Sequence, residues 1–450
     1  MKIYRYVSAA KRHISFVLIM IACFSTALTQ ARAEYDYIDI TNPFLRKIPI
    51  AVPVFKAVQG TEAELRVGEN GANILSEALV FTGYFTMIDR NAYLSDPQEA
   101  GIEGPGIKFR NWTAIGAELL VTAGVVLSDG VLTMELRLFD TIQQNMLVGK
   151  KYVGTEQDLR RIVHRFASEV VYHLTGNRGI FDSKIAFVSN GPGKKKRFTC
   201  DFDGNNVEQF TSHKAITLFP AWSHDGQWIA YTSYAKGKPD LYIKNVGNKP
   251  GAVVARKGLN SFPAWVPGKL ELAATLSFSG DQEIYLLSSK GDLIRQLTVN
   301  EGIDVSPTFS PDGKQMAFVS RRSGTPQIYI QNVETGNVRR LTFEGSYNTQ
   351  PDWSPQGDKI AYSSMNKGEL NIFVMGVDGS GPVQLTFNAG SNESPSWSPD
   401  GSMIAFSSTR EGPSRIYVMT AFGTDQRRLL TAPGEQSNPA WSSSVVDSRN

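Results

Sequence analysis

A motif of proline, one variable residue and an aromatic recurs six times in this chain at a nearly constant interval. Its prolines are Pro220, Pro263, Pro307, Pro351, Pro395 and Pro439, spaced 43, 44, 44, 44 and 44 residues apart. They lie within FPAW, FPAW, SPTF, QPDW, SPSW and NPAW. A period in the forties made only of strand and turn patterns marks a β-propeller. After the aromatic comes a turn, SPDG at Ser310–Gly313 and Ser398–Gly401, with SHDG and SPQG as variants. Proline presets φ in such a turn and glycine accepts φ > 0. An apolar strand follows (IAYTS, MAFVS, IAYSS, IAFSS), then a third (LYIKNV, IYLLSS, IYIQNV, IFVMGV, IYVMTA). A fourth ends in Leu-Thr at Leu297, Leu341 and Leu385. Four short strands make one blade.

The count closes a ring. The first unit begins at its second strand, Lys184–Ser189, and the last Pro-x-Trp, Pro439–Trp441, has no blade after it. The last strand is therefore expected to complete the first blade and leave no open edge. The recurring aromatics are expected to pack between blades, and proline at a strand start costs no ladder bond. The predicted propeller spans residues 180–445, with 446–450 as a tail.

Residues 1–33 read as an export leader. Lys2, Arg5, Lys11 and Arg12 precede an apolar run from Ile14 to Leu28, and Ala31-Arg32-Ala33 offers a cleavage site before Glu34. The run of about 15 residues is shorter than the roughly 20 that span a bilayer. Lipidation at Cys23 is the rival reading, but Cys23 lies inside the apolar run and Met20 stands where a lipobox prefers Leu. The leader's five Lys/Arg, with no acid among them, turn the chain's formal +3 into −2 once removed. That near-neutral charge points away from nucleic acid or an anionic membrane surface. Only Cys200 then remains, so no internal disulfide is possible. No later segment has 18 consecutive apolar residues, so direct membrane insertion is not expected.

Residues 34–176 read as a small α/β domain. Lys47–Phe55, Tyr84–Ile88 and Glu118–Leu127 are strand candidates, and Val131–Phe139 with Met146–Val153 resembles a hairpin. Ile74, Leu75, Ala78, Leu79 and Thr82 predict a helix ending at Gly83. A second helix starts at a Thr155/Asp158 capping box, carries Leu159, Ile162, Val163, Phe166, Val170 and Leu174 on one stripe, and stops at Gly176. A short linker is expected near Asn177–Gly179. The fold class is multidomain α/β plus all-β, an amino-terminal α/β domain followed by a six-bladed propeller closed by its last strand.

The leader, the α/β domain, the sixfold P-x-W-S-P-D-G and I-A-F-x-S repeat and the closing P-A-W together resemble the TolB family of the Tol–Pal system, over essentially the whole chain after the leader. The resemblance implies a monomeric periplasmic adaptor. It would bind the outer-membrane lipoprotein Pal and the inner-membrane protein TolA, with other outer-membrane proteins as further candidates, in support of envelope integrity and constriction during cell division. TolA would engage the mature amino-terminal segment, Glu34, Tyr35, Asp36, Tyr37, Ile38, Asp39 and Ile40. Its alternating acidic and apolar residues suit a strand that adds to a sheet edge or peels away; a frayed terminus is the plain alternative. Pal would sit over one propeller mouth, formed by the residues before each Pro-x-Trp: Leu218, Phe219, Asn260, Ser261, Phe262, Asp304, Val305, Ser306, Asn348, Thr349, Gln350, Asn392, Glu393, Ser394, Ser437 and Asn438. Their hydroxyls and amides suit hydrogen bonding to a polar partner; solvated strand starts are the plain alternative.

No catalytic, cofactor or metal site is expected. No G-x-S-x-G elbow occurs. After the leader the histidines are His164, His173, His213 and His224, none at metal-ligand spacing, and His164 and His173 are expected at the helix surface. Asp201-Phe-Asp203-Gly-Asn205 resembles a calcium loop, but its register matches the third turn of other blades. Gly191-Pro-Gly193 with Lys194–Arg197 lacks the K-[ST] of a phosphate loop and reads as a charged loop tip, or a positive docking patch. The remaining alternatives are a hydrolase using the central channel, which calls for an acid or histidine cluster, and a sugar-binding module, for which only Phe219 and Phe262 offer aromatics at the mouth.

Overall fold

The computed structural model describes residues 46–191, 196–211, 215–247, 249–366 and 368–443. The leader and the segment Glu34–Ile40 lie outside them.

The amino-terminal domain is a sheet with strand order β3-β1-β4-β5-β6: β1 Ile48–Ala51, β3 Phe85–Met87, β4 Leu119–Ser128, β5 Val131–Asp140 and β6 Asn145–Gly154. β1 runs parallel to β3 and β4, and β4 to β6 form an antiparallel meander; the two-residue β2, Lys56–Ala57, adds to β4. Period-two alternation splits β4 between two cores. Leu119, Val121, Ala123 and Val125 face helices α1 (Glu62–Phe81) and α3 (Leu159–Thr175), while Leu120 meets the short α2 (Phe109–Ala114) through Phe109 and Trp112.

Helix α1 begins at Glu62, twelve residues before Ile74 where the visible apolar stripe starts: Thr61 caps it by accepting from the Glu64 amide at 3.2 Å. Gly68 and Gly71 in its first half are packing devices. A Cβ on Gly68 would stand 2.4 Å from the Phe55 carbonyl oxygen, and one on Gly71 would stand 3.0 Å from the Phe55 ring. The Thr155/Asp158 capping box forms, and Gly176 ends α3 in the left-handed region at φ 75°.

Six four-stranded sheets follow, and Gln436–Trp441 pairs with Lys184–Ser189 to complete the first. Three of the repeated tryptophans are hydrogen-bonded latches between blades. Trp222, Trp265 and Trp397 donate from Nε1 to the carbonyls of Ala440, Ala221 and Asp352 in the preceding blade at 3.1–3.2 Å. Trp441 reaches Ser183 Oγ at 2.8 Å.

One apolar core runs through both domains. It joins Leu79, Val163 and Phe166 to Ile180 and Phe181, and onward to Phe187, Phe202, Met403, Val418 and Trp441 of the first and last blades. His164 belongs to this junction and is 6% exposed. That corrects the surface position expected of it: α3 buries a second face, against the propeller. His164 lies edge-on to Phe202 at 5.2 Å and beside Phe181. Burial, with Arg160 nearby, holds its pKa down at about 4.

Candidate functional site: the loop end of the propeller

Successive strands of a blade run in opposite directions, so the propeller has two chemically different ends. The first-to-second and third-to-fourth connections are short turns at one end. The second-to-third and fourth-to-first connections are loops at the other.

The amino-terminal domain docks on turns of the first and last blades. Lys47 Nζ meets Asp425 Oδ2 at 2.7 Å, and the Arg427 guanidinium lies 4.2 Å over the Phe81 ring while donating to the Phe81 carbonyl. Arg160 of α3 pairs with Asp203 and approaches Asp201. The segment Asp201–Asn205 is a turn, closed by the Asp201 amide donating to the Asn205 carbonyl at 2.9 Å and the Gly204 amide to the Asp201 carbonyl at 3.0 Å. Its acids meet Arg160 and Lys184.

At the loop end each inner strand is six residues long with a register break in its middle. The third residue occupies the left-handed region: Phe219, Phe262, Ser306, Gln350, Ser394 and Asn438, at φ 51–55°. Non-glycine residues there each cost about 1–3 kcal/mol. The bulge before each proline turns these six side chains into the central cavity, of about 310 Å³.

The ring is lopsided. Phe219 and Phe262 pack with centroids 4.2 Å apart. On the far side, Gln350 Oε1 accepts from Ser363 Oγ and the Ser394 amide, both at 2.9 Å, and Asn438 Nδ2 donates to Ser394 Oγ at 3.1 Å. Deeper, Asp352 accepts from the Trp397 amide at 2.7 Å, and burial raises its pKa to about 7.

The residues expected at the mouth thus separate by position. The first ones, Asn260, Asp304, Asn348 and Asn392, are buried; the asparagines hold the preceding loop, while Asp304 takes Arg322 from the loop after the second strand. Asn348 Nδ2, for example, donates to the Glu344 carbonyl at 2.7 Å, and Asn392 Nδ2 to the Gly390 carbonyl at 2.8 Å. Among the second ones, Leu218, Val305, Thr349, Glu393 and Ser437 are half-buried, whereas Ser261 is buried against Thr232 Oγ1 at 2.8 Å. Only the third residues converge on the cavity. Sequence reasoning missed an exposed apolar row farther out: Val299, Phe343 and Phe387, exposed by 85%, 73% and 61%. Its trace was present, because each follows the repeated Leu-Thr at one register position.

A closed propeller with an α/β domain docked on turns of its first and last blades and a ring of loops opposite defines a two-domain propeller protein. Family models place it further: the TolB amino-terminal domain matches residues 36–147 and the TolB beta propeller domain residues 171–445. The chain belongs to the TolB family. It is 54% identical over 282 residues to the Tol-Pal system protein TolB of Desulfosudis oleivorans, covering 63% of this chain and 64% of that one. It is 44% identical over 266 residues to the Protein TolB homolog of Chlorobium chlorochromatii, 59% of each. These matches span less than two thirds of either relative. The crystal structure of TolB from Acinetobacter baumannii superposes with a TM-score of 0.78 at 28% identity, covering 88% of this chain and 97% of that one.

Proposed function

We propose that this protein is a non-enzymatic periplasmic adaptor, exported by cleavage after Ala33, that binds Pal through the loop end of the propeller and TolA through Glu34–Ile40. The two partners are those that the resemblance to the TolB family of the Tol–Pal system implies. The observation that carries the assignment of faces is the division of the propeller's ends: the turn end of the first and last blades is covered by the amino-terminal domain, while the loop end presents the ring Phe219, Phe262, Ser306, Gln350, Ser394 and Asn438. Half-buried Leu218, Val305, Thr349, Glu393 and Ser437 border that ring. An aromatic pair facing hydroxyls and amides suits a partner loop with one apolar and one polar side.

The test is titration calorimetry of the protein, with and without Glu34–Ile40, against the periplasmic domains of Pal and TolA from the same organism. Pal binding both forms and TolA only the longer one is the expected result. Absence of binding to either at tens of micromolar would sink the adaptor reading.

A further inference from the structure

Two loops at the open end hold an arginine in the same frame and treat its charge differently. Arg322 follows the second strand of the fourth blade by two residues, and Arg410 does so in the sixth. Arg322 lies over Phe318 and Tyr329 at 5.3 and 5.0 Å; Arg410 lies over Phe406 and Tyr417 at 5.4 and 4.4 Å. Each donates from Nε to a serine hydroxyl at 2.8 Å, Ser320 in one case and Ser408 in the other.

The third contact differs. Arg322 Nη2 meets the buried carboxylate of Asp304 at 2.8 Å, but Arg410 Nη2 meets the neutral Asn392 Oδ1 at 3.0 Å. The neighbouring acid, Glu411, is engaged by the Tyr417 hydroxyl and by Arg428 at 3.2 Å. Arg410 therefore has no carboxylate in ion-pair range among the described residues, and its Nη1 has no hydrogen-bond partner among them. The half-buried guanidinium is pre-aimed and partly stripped of water, with its counter-charge missing. A carboxylate arriving there forms a charge-assisted bond without first ordering the side chain.

An apolar neighbour accompanies it. The loop from Phe387 is tied to the Arg410 loop, since the Ser391 amide donates to Thr409 Oγ1 at 2.9 Å. Phe387 stands out of that loop, followed around the rim by Phe343 and Val299. We propose that Arg410 is a carboxylate-binding subsite of the loop end, pairing with an acidic side chain of the protein partner while an adjacent apolar side chain of that partner covers Phe387. This rests on the loop end being the partner face.

The test titrates the intact protein and three variants, R410Q, N392D and F387S, with the soluble domain of Pal at low and high salt. R410Q is expected to weaken binding about ten-fold and flatten its salt dependence. N392D recreates the fourth blade's internal pair, so it should weaken binding comparably while melting no lower than the parent. F387S should weaken binding about three-fold. Parent protein that fails to bind Pal overturns the functional reading itself. Parent binding matched by R410Q, or R410Q weak with N392D unchanged, overturns the subsite alone. Arg410-dependent capture on phosphatidylglycerol vesicles in place of Pal also overturns it, by making the ligand a lipid phosphate.

Discussion

The two ends of the propeller are built from the same repeat and behave as opposites. At the turn end, one solution recurs: Ser310 and Ser398 donate to the aspartate two residues on, at 2.6 and 2.7 Å, and Gly313 and Gly401 take φ 68° and 70°. Docking is decided instead by the third-to-fourth turns of the first and last blades, through Asp203 and Asp425, and by Arg427 just after, which meet the amino-terminal domain. At the loop end, the backbone is repeated but the side chains are not. The six ring residues share one φ and comprise Phe, Phe, Ser, Gln, Ser and Asn. A repeat can hold its frame constant through backbone geometry while each blade varies what that frame displays.

The contrast breaks first at the domain junction. Phe202 is fully buried among Phe81, Phe181 and His164. Phe202→Ala should cost about 3–5 kcal/mol in chemical denaturation. The whole protein should still unfold in one transition; two separated transitions would show that the turn end merely touches its domain.

Acid tests the same junction. The folded His164 has a pKa of about 4, below the ordinary 6.5, so the unfolded chain binds the extra proton first. Stability is then full above pH 6.5 and falls as pH drops toward 4, by on the order of 3 kcal/mol. His164→Leu should flatten that part of the stability–pH curve, and an unchanged slope would place the acid sensitivity elsewhere.

The channel titrates in the other direction. Asp352, raised to about 7, favours its protonated form in the folded state. Its contribution is complete below pH 3.8 and fades as pH rises through 7. Asp352→Asn should raise Tm more at pH 8 than at pH 5 in scanning calorimetry, and equal shifts would mean that the carboxyl stays ionised in the channel wall.

The smallest effect probes the ring's backbone. Ser306 sits at φ 54°, so Ser306→Gly should be neutral or stabilise by up to about 1 kcal/mol. A loss above 1 kcal/mol would mean that the bulge is not strained. The same change at Gln350 would not be a clean comparison, because that side chain accepts two hydrogen bonds.

Legibility followed the range of the interactions involved. Blade count, ring closure and the packing of the recurring aromatics between blades were readable from a 44-residue spacing, since strand period and turn chemistry are local. The capping box and glycine stop of α3 were readable for the same reason. The start of α1 was not: Gly68 and Gly71 carry a turn's composition but serve a close approach to Phe55. At the mouth, strand starts were legible as a group, but their division into loop-holding Asn260 or Asn348 and cavity-facing Phe262 or Gln350 depends on a bulge that alternation alone does not reveal.

By itself the sequence determined the six-bladed ring, its closure by the last strand and the α/β domain before it, because hydrophobic period and turn residues act within a few positions of each other. Only the tertiary structure decided that α3 buries His164 against Phe202, that the amino-terminal domain docks on turns of the first and last blades, and that Arg322 has its carboxylate while Arg410 does not. Those outcomes depend on residues far apart in the chain and on how wide each side chain's neighbours leave the space between them, and no local pattern encodes that.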